Sequence, residues 1–438
     1  MAFKGFFNAA FVKDTLKTTA FSSVGRAIGF LIPFFIAAWF GTSPQTDAFF
    51  FIYGLVIFLS SIFASTVAAV IVPYIAEMLA RRENPGRFIS SLLQISTLLL
   101  TLLLGAAAVL LAGFFVFFNP FSPAVTAESI LMLCELLPLV FLLVWTGILE
   151  GVLQADKKFS LPALSLILRA ALTITLIWLF KPWLGIHAVI TGYLAGEAAR
   201  FLLLLIAAGR LRLFRFHCLR RPDGRVKDFL GKAAFQVVGV TAMGLNPVID
   251  KLMAATLPMG SVSVLYYAER LFLIPVTFLV SGVLITLLSY WSGGLQTAGR
   301  TQLARDVSRT ARWTVSPGLL VTVAVLLLAG PLAELAYGRG EMTAGTIHLI
   351  AEVTVVYFLG FLPLVIGQVY VRALIVIRRT RTLMMAALML CLANVCGNLA
   401  LIPLLGVRGI ALATSLVNVA GSVIMWRAFR NHTHLASS

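Results

Sequence analysis

Residues 161–210 read LPALSLILRAALTITLIWLFKPWLGIHAVITGYLAGEAARFLLLLIAAGR. Two apolar runs, 160–180 and 185–208, flank a short loop that contains Pro182. Each run is close to the roughly 20 residues that a helix needs to cross the hydrocarbon core of a bilayer. Strands are excluded, because the runs are too long and an open sheet cannot satisfy its backbone hydrogen bonds in lipid. The stretch therefore predicts two consecutive membrane-spanning helices.

The same pattern recurs along the whole chain. Of the 438 residues, 60% are hydrophobic and only 12% are charged, with a mean hydropathy of +0.99. This composition excludes an ordinary soluble enzyme and a disordered protein. We predict an all-α polytopic membrane protein with about twelve transmembrane helices. The expected spans are 18–41, 48–75, 90–118, 129–154, 160–180, 185–208, 233–257, 262–290, 313–337, 346–371, 382–404 and 408–426.

The basic residues predict the orientation of these spans. The chain has 34 Lys and Arg residues, and its net charge is +17. All but eight lie in the two tails or in the loops after even-numbered spans, and only Lys181, Arg339 and Arg408 lie in the opposite loops. Cytoplasmic loops are enriched in Lys and Arg, so both termini are predicted to be cytoplasmic. Nucleic-acid binding is not expected, because the charges are spread over many short loops.

Two loops of similar sequence predict an internal repeat. Pro182-Trp-Leu-Gly-Ile-His-Ala188 resembles Pro403-Leu-Leu-Gly-Val-Arg-Gly409, and the same offset places Lys157-Lys158 on Arg378-Arg379. Two six-helix lobes related by a parallel repeat would explain both, and rocking about their interface would give alternating access. The alternative is that two loops on the same side merely look alike. The predicted lobes are 1–209 and 233–426, with a basic cytoplasmic linker at 210–232, suited to anionic lipid headgroups, and a cytoplasmic tail at 427–438.

Ionisable residues inside spans need a reason, because each costs about 2.5–3.5 kcal/mol on insertion scales. Arg26 lies in the first predicted span, and Arg270 lies in the eighth, beside Glu269. A guanidinium binds phosphate oxygens bidentately and stays charged, so the two arginines suit a pyrophosphate or another acidic group. An ion pair between Arg270 and Glu269, or snorkelling toward an interface, is the alternative. Glu197 and Arg200 are three residues apart, and we expect them to pair on one helical face.

A second polar set predicts either a cation site or simple helix contacts. Asp250 follows Asn246 and precedes Lys251, and Asn394 and Asn398 lie on one helical face. Asp250 could pair with Lys251 or join amide oxygens around a small hard cation, while interhelical hydrogen bonding is the default for the asparagines. No nucleotide-binding, HExxH or Ser/His/Asp pattern is present, which favours a transporter over an enzyme.

Three stretches resemble one family. They are Arg26-Ala-Ile-Gly29-Phe30, then Thr46-Asp47-Ala48-Phe49-Phe50, and above all Leu257-Pro258-x-Gly260-Ser261-Val262-Ser263-x-Leu265-Tyr266-Tyr267-Ala268-Glu269-Arg270-Leu271. They resemble the MurJ/MviN family of lipid II flippases, over nearly the whole chain. The resemblance implies the multidrug/oligosaccharidyl-lipid/polysaccharide exporter fold, with two lobes around a cationic cavity. It also implies that Arg26 and Arg270 bind the pyrophosphate, and it adds Asp47 and Glu269 to the expected substrate-binding residues.

The resemblance also implies a sodium site. Its ligands would be Asp250, Asn394, Asn398, Thr414 and the backbone carbonyl of Ile410, with Asn398 standing where some members have an aspartate. One carboxylate instead of two predicts a weaker site, and coupling to the membrane potential is the alternative. No other cofactor is expected.

The sequence predicts the transported lipid less precisely than it predicts the family. Two further cavity arginines of the family fall on Ile32 and Ser60, and the chain ends after the twelfth span, whereas lipid II flippases carry two more helices. We expect a flippase in the bacterial cytoplasmic membrane for a polyprenyl-pyrophosphate-linked oligosaccharide, either lipid II or the repeat unit of a surface or exopolysaccharide. A glycan polymerase or other synthesis machinery is the expected protein partner. The alternative function is a cation-coupled exporter of small amphipathic molecules on the same fold.

Overall fold

A computed structural model of the chain describes residues 9–81, 83, 85–118, 123–156, 158, 160–211, 213–214, 226, 241, 244–277 and 284–434. The side chains of some helical residues, that of Arg26 among them, lie outside the described set. Every regular element among the described residues is a helix. The helices are α1 (Ala9–Phe40), α2 (Pro44–Ala80), α3 (Gly86–Phe118), α4 (Pro123–Ala155), α5 (Ser160–Leu184), α6 (His187–Arg210), α7 (Ser261–Thr277), α8 (Leu284–Tyr337), α9 (Ala344–Leu359), α10 (Phe361–Val376), α11 (Thr380–Leu405) and α12 (Val407–His434).

Within the described residues, eight helices are long and apolar enough to cross a membrane, and the bent pair α9 and α10 brings the number to nine. The prediction of an all-helical polytopic membrane protein is therefore confirmed. The number twelve stays a prediction. The predicted span 233–257 lies partly outside the described residues, which show a helical segment at 244–254.

Large apolar side chains face outward on the spanning helices. Trp178 on α5 is 60% exposed, Leu327 on α8 is 76% exposed, and Leu392 on α11 is 67% exposed. A soluble protein rarely leaves such extended apolar surface in water. On a helix that spans a bilayer, the same side chains contact lipid.

The chain divides into two compact units. Unit 1 comprises Met1–Ile36 and Ile52–Val240, and unit 2 comprises Ala37–Phe51 and Thr241–Ser438. In unit 1, α6 packs against α4 and α5; in unit 2, α12 packs against α9, α10 and α11. The predicted division at 209 and 233 would put Ala37–Phe51 with the first lobe, whereas this segment groups with unit 2. The lobe boundaries stay a prediction.

The connection after the predicted eighth span is helical, which corrects the expectation of a loop. Helix α8 runs from Leu284 to Tyr337, with one break at Gly299, whose φ is 76°. Beyond the break, Leu303, Val307 and Ala311 are buried in a core cluster with α10, α11 and α12. The arginines that suggested a cytoplasmic loop therefore lie on the polar face of an amphipathic helix.

The two loops that suggested a repeat have the same local structure. Gly185 follows α5 with a φ of 53°, and Gly406 follows α11 with a φ of 57°. Each glycine N–H donates to the carbonyl four residues earlier, and each glycine carbonyl accepts from the amide three residues later. Glycine adopts this left-handed conformation without the steric cost of a Cβ atom. The resemblance of these loops therefore extends to their backbone geometry.

Helices α9 and α10 form a bent pair, with a 42° angle at Gly360. A Cβ atom on Gly360 would lie 2.6 Å from the Cα of Ser415 on α12. The Ser415 hydroxyl donates to the carbonyls of Val356 and Tyr357, at 2.7 and 3.2 Å. The absence of a side chain at Gly360 thus lets α12 approach closely.

Candidate functional site

Four of the predicted cation-site residues meet in unit 2. The amide nitrogens of Asn394 and Asn398 donate to Oδ1 of Asp250 at 2.7 and 2.8 Å. The Thr414 hydroxyl donates to Oδ2 of Asp250 at 3.1 Å. Asp250 lies on the helical segment 244–254, the asparagines on α11 and the threonine on α12. Ile410, which was predicted to contribute its carbonyl, is buried one turn before Thr414 on α12.

The side-chain amide oxygens of Asn394 and Asn398 have no hydrogen-bond partner among the described residues. Asp250 is 5% exposed, and both asparagines are completely buried. Oδ1 of Asn394 and Oδ1 of Asn398 are buried without a hydrogen bond within the described part of the chain. Buried side-chain oxygens normally have partners, so each orphan needs an explanation. A half-turn of each amide would put its oxygen where its nitrogen now contacts Asp250, giving a carboxylate, two amide oxygens and a hydroxyl, the donors that hard cations prefer.

Lys251 does not pair with Asp250, so that alternative is wrong. Its Nζ lies 2.9 Å from Oε2 of Glu269 and 3.4 Å from the Pro247 carbonyl. The side chains of Lys251 and Glu269 are 8% and 18% exposed. Glu269, predicted for substrate binding, is therefore the carboxylate of a nearly buried ion pair. Its role toward a substrate stays a prediction.

Arg270 lies against an aromatic ring. Its guanidinium carbon lies 4.4 Å from the ring centroid of Tyr266, one helical turn earlier on α7. The Tyr266 ring is in turn stacked on Phe50 at 3.9 Å between centroids. A cation over an aromatic face is stabilised by the ring quadrupole. Sequence reasoning missed Tyr266, although its spacing of four residues from Arg270 puts the two on one helical face.

Asp47 caps the N-terminus of α7. Its Oδ2 accepts the Gly260 N–H at 2.6 Å, and its Oδ1 accepts the Ser263 N–H at 2.8 Å together with the Ser263 hydroxyl. Asp47 is 4% exposed. A carboxylate at this position satisfies amides that the helix leaves unpaired and complements the helix dipole. The structure thus gives Asp47 protein partners, and its predicted contact with substrate stays a prediction.

The remaining predicted positions are only partly described. Arg26 lies on α1, and its side chain lies outside the described residues. Ile32 and Ser60, where the family's other cavity arginines fall, are 1% and 3% exposed. The Ser60 hydroxyl donates to the Val56 carbonyl at 2.7 Å.

Unit 1 holds a charge network that the sequence indicated only in part. Glu197 pairs with Arg200 at 3.3 Å, as its spacing predicted, and also with Arg169 at 3.2 Å. Arg200 reaches Glu150 at 2.6 Å and the Ser165 hydroxyl at 3.2 Å. Glu150 and Arg169 lie on other helices than Arg200, so no sequence spacing could have indicated them. The network joins α4, α5 and α6.

Comparison with solved structures shows the fold. The chain matches a lipid II flippase MurJ in an inward closed conformation with a TM-score of 0.80 and 21% identity, over 94% of this chain and 87% of that one. It matches an inward-facing multidrug resistance MATE family transporter of the MOP superfamily with a TM-score of 0.76 and 13% identity, over 96% and 98%. The fold is that of a MOP superfamily transporter, as the resemblance implied.

Sequence comparison gives the family. The model of the family described as "Lipid II flippase MurJ" matches residues 36–437, and the chain belongs to this family. A probable lipid II flippase MurJ of Buchnera aphidicola is 25% identical, over 95% of this chain and 83% of that protein. The lipid II flippase MurJ of Burkholderia cenocepacia is 24% identical over the same shares. These are membrane transporters rather than enzymes, and the chain is a multi-pass protein of the bacterial inner membrane.

Proposed function

We propose that this chain translocates a polyprenyl-pyrophosphate-linked saccharide across the cytoplasmic membrane by alternating access. The family match over residues 36–437 carries the proposal. Lipid II is the cargo that the family name gives, and the repeat unit of a surface polysaccharide shares its pyrophosphate and polyprenyl chemistry. A glycan polymerase or other synthesis enzyme would take the cargo after translocation.

The proposed topology has twelve spans in two six-helix lobes, 1–209 and 233–426, with the linker 210–232 and the tail 427–438 in the cytoplasm. The matched glycine loops at Gly185 and Gly406 support the repeat. Single cysteines test the orientation: one near Ser43 or Gly260, such as at the exposed Met259, should react with an impermeant reagent from outside, and one near Asp223 or Arg305 only from the cytoplasm. The reverse pattern would overturn the topology.

Arg26 and Arg270 are the proposed ligands of the pyrophosphate. Arg270 stays a full charge at any physiological pH, and its guanidinium presents several N–H donors in one plane. Stacking on Tyr266 limits the directions in which those donors can point. Asp47 and Glu269 support this region by capping α7 and pairing with Lys251, respectively.

The Asp250 cluster is the proposed sodium site, formed by Asp250, Asn394, Asn398, Thr414 and the Ile410 carbonyl. The two orphan amide oxygens support it. Sodium there would join three helical segments of unit 2. A ligand shifts a conformational equilibrium only by its differential affinity for the two states, so coupling requires that cargo-bound and cargo-free conformations bind sodium differently.

Complementation identifies the cargo. The chain is expressed in cells depleted of their own lipid II flippase and, separately, in cells that lack a polysaccharide repeat-unit flippase. Restored growth of the first strain assigns lipid II, and restored surface polymer in the second assigns a repeat unit. Failure of both, together with cation-coupled export of small amphipathic molecules, would replace the proposal by the exporter alternative.

A further inference from the structure

Unit 2 contains a cavity of about 320 Å³ beside the Asp250 cluster. Its wall is mostly aliphatic and carries a polar strip that includes Asn246, Gln368, Arg372 and Asn418. At roughly 30 Å³ for each molecule of liquid water, the space holds on the order of ten waters. A cavity of this size with several polar groups in its wall is suited to water.

The cavity lies one helical turn from the cluster on three separate elements. Asn246 in its wall is four residues before Asp250, Leu390 is four before Asn394, and Asn418 is four after Thr414. Four residues of helix correspond to about 6 Å along the axis. Because the three offsets agree, the cavity is stacked directly on the cluster.

These offsets also fix the direction of the stacking. The lining residues on α11 lie before Asn394, and those on α12 lie after Thr414. On α11 this direction leads back toward the turn between α10 and α11, which carries Arg378 and Arg379. Basic loops mark the cytoplasmic face, so the cavity lies on the cytoplasmic side of Asp250.

Side-chain amide oxygens without hydrogen-bond partners among the described residues lie both in the Asp250 cluster and in the cavity wall. Oδ1 of Asn246 is buried without a partner, as are Oδ1 of Asn394 and Oδ1 of Asn398. These three are the amide oxygens in that condition among the described residues. Each can accept a hydrogen bond from water or contact a cation that has lost part of its hydration shell.

We propose that this cavity is the aqueous passage through which sodium exchanges between the cytoplasm and Asp250, inside the body of unit 2. The inference rests on the proposed sodium site and adds its route. Arg372 places a positive charge on the passage, and its Nε has no hydrogen-bond partner within the described residues. This charge lowers the local cation concentration and slows entry.

The test measures exchange and affinity separately, with ²²Na⁺ on the full chain in nanodiscs. Ala387→Phe fills the cavity from α11, and Met389→Phe puts the same ring on a side that is 57% exposed. Ala387→Phe should slow sodium exchange by at least about tenfold, corresponding to a barrier increase of about 1.4 kcal/mol. The equilibrium affinity should stay within about threefold of that of the parent, and Met389→Phe should change neither quantity.

Arg372→Gln should change the rate of sodium exchange in the opposite direction. Removing the charge should speed sodium association several-fold at low ionic strength, and salt should abolish the difference. Exchange that stays within about twofold of the parent rate in both Ala387→Phe and Arg372→Gln would overturn the route.

A chemical block removes any ambiguity from misfolding. The four native cysteines are replaced by serine, and Ser422→Cys then puts a single thiol in the cavity wall. The blocking reagent reacts with this thiol only after the protein has folded. A cationic methanethiosulfonate reagent should modify it from the cytoplasmic side and slow exchange. Ser308→Cys, exposed on α8, should be modified without that effect. Modification only from the opposite side, or complete modification with unchanged exchange, would contradict the route.

Failure of the proposed sodium site would give a different experimental result from failure of the passage. In that case the parent binds no ²²Na⁺, or Asp250→Asn binds it as tightly as the parent does. Binding that depends on Asp250 but exchanges independently of the cavity would leave the site intact and reject only the passage.

Discussion

The ammonium group of Lys251 and the carboxylate of Glu269 form an ion pair of 2.9 Å. Lys251 is adjacent to Asp250 in the chain, but its ammonium group pairs with the Glu269 carboxylate instead. Asp250 instead accepts hydrogen bonds from neutral amides and a hydroxyl. Asp250 therefore has no ion-pair partner among the described residues, as the proposed cation site requires.

Breaking this pair should be costly. Lys251→Met removes the ion-pair partner of the nearly buried Glu269 and leaves, among the described residues, only the adjacent charge of Arg270 to balance it, so we expect a loss of up to about 3–5 kcal/mol in the free energy of unfolding. Lys251→Met combined with Glu269→Gln should recover part of the loss. The measurement is denaturant or thermal unfolding of the purified variants.

The control is an exposed pair of the same type. Arg81 and Glu77 lie 2.6 Å apart, with side chains 66% and 62% exposed. Exposed pairs contribute about 0–1 kcal/mol, so Arg81→Met should have little effect. Equal costs for Lys251→Met and Arg81→Met would show that the Lys251–Glu269 pair does not matter for stability.

Sodium should stabilise the parent through Asp250. A site that is filled at a hundredfold excess over its dissociation constant adds about 2.7 kcal/mol to the free energy of unfolding. We therefore expect a higher unfolding midpoint in sodium than in potassium or choline, and no such difference in Asp250→Asn. Asp306→Asn, on α8 outside the cluster, should respond like the parent. A parent that is insensitive to sodium would eliminate the cation site and leave the membrane potential as the energy source.

The cap on α7 should contribute to stability. Asp47→Ala removes the acceptor of two backbone amides, and loss of a helix cap costs about 0.5–2 kcal/mol. The buried Asp47 should lie at the upper end of that range, above Thr343→Ala, which removes an exposed cap from α9. Unfolding midpoints of the two variants make the comparison. Unchanged stability in Asp47→Ala, with lost transport, would instead support direct contact with substrate.

Replacing Arg270 by lysine should impair transport while the protein stays folded. An ammonium keeps the charge but loses the planar, bidentate geometry. A charge-assisted hydrogen bond contributes about 1.5–3 kcal/mol, which corresponds to roughly ten- to a hundredfold in rate. Arg339→Lys, at an exposed position, is the matched control. A flipping rate for Arg270→Lys equal to that of the parent would argue against the pyrophosphate contact, as would full activity in both Arg26→Ala and Arg270→Ala.

The sequence predicted the features that depend on period and composition. The apolar runs predicted α5 and α6 closely, because a bilayer requires long continuous helices. The spacing of Glu197 and Arg200 predicted their ion pair. The break at Gly360, which interrupts a predicted single span, was not predicted, because no local signal in the sequence indicates that α12 packs closely at this glycine.

The site was predicted in part, and mostly through the resemblance. Asp250, Asn394, Asn398 and Thr414 do come together, although about 150 residues separate the first from the rest. The sequence did not indicate that Lys251 pairs with Glu269. Asp250 is the neighbour of Lys251 in the chain, whereas Glu269 is close to Lys251 only in the folded structure. Asp47 shows the same limit, since its partners Gly260 and Ser263 lie more than 200 residues away.

The most direct test is the initial rate of lipid translocation in proteoliposomes. Lipid II and a polyprenyl-pyrophosphate-linked repeat unit are supplied on one leaflet, and their appearance on the other is followed with an impermeant reagent. The parent should move at least one of these lipids faster than protein-free liposomes do, and Arg270→Ala, matched for folded protein, should not. Translocation of neither lipid by correctly folded parent protein would contradict the assignment of the chain as a flippase.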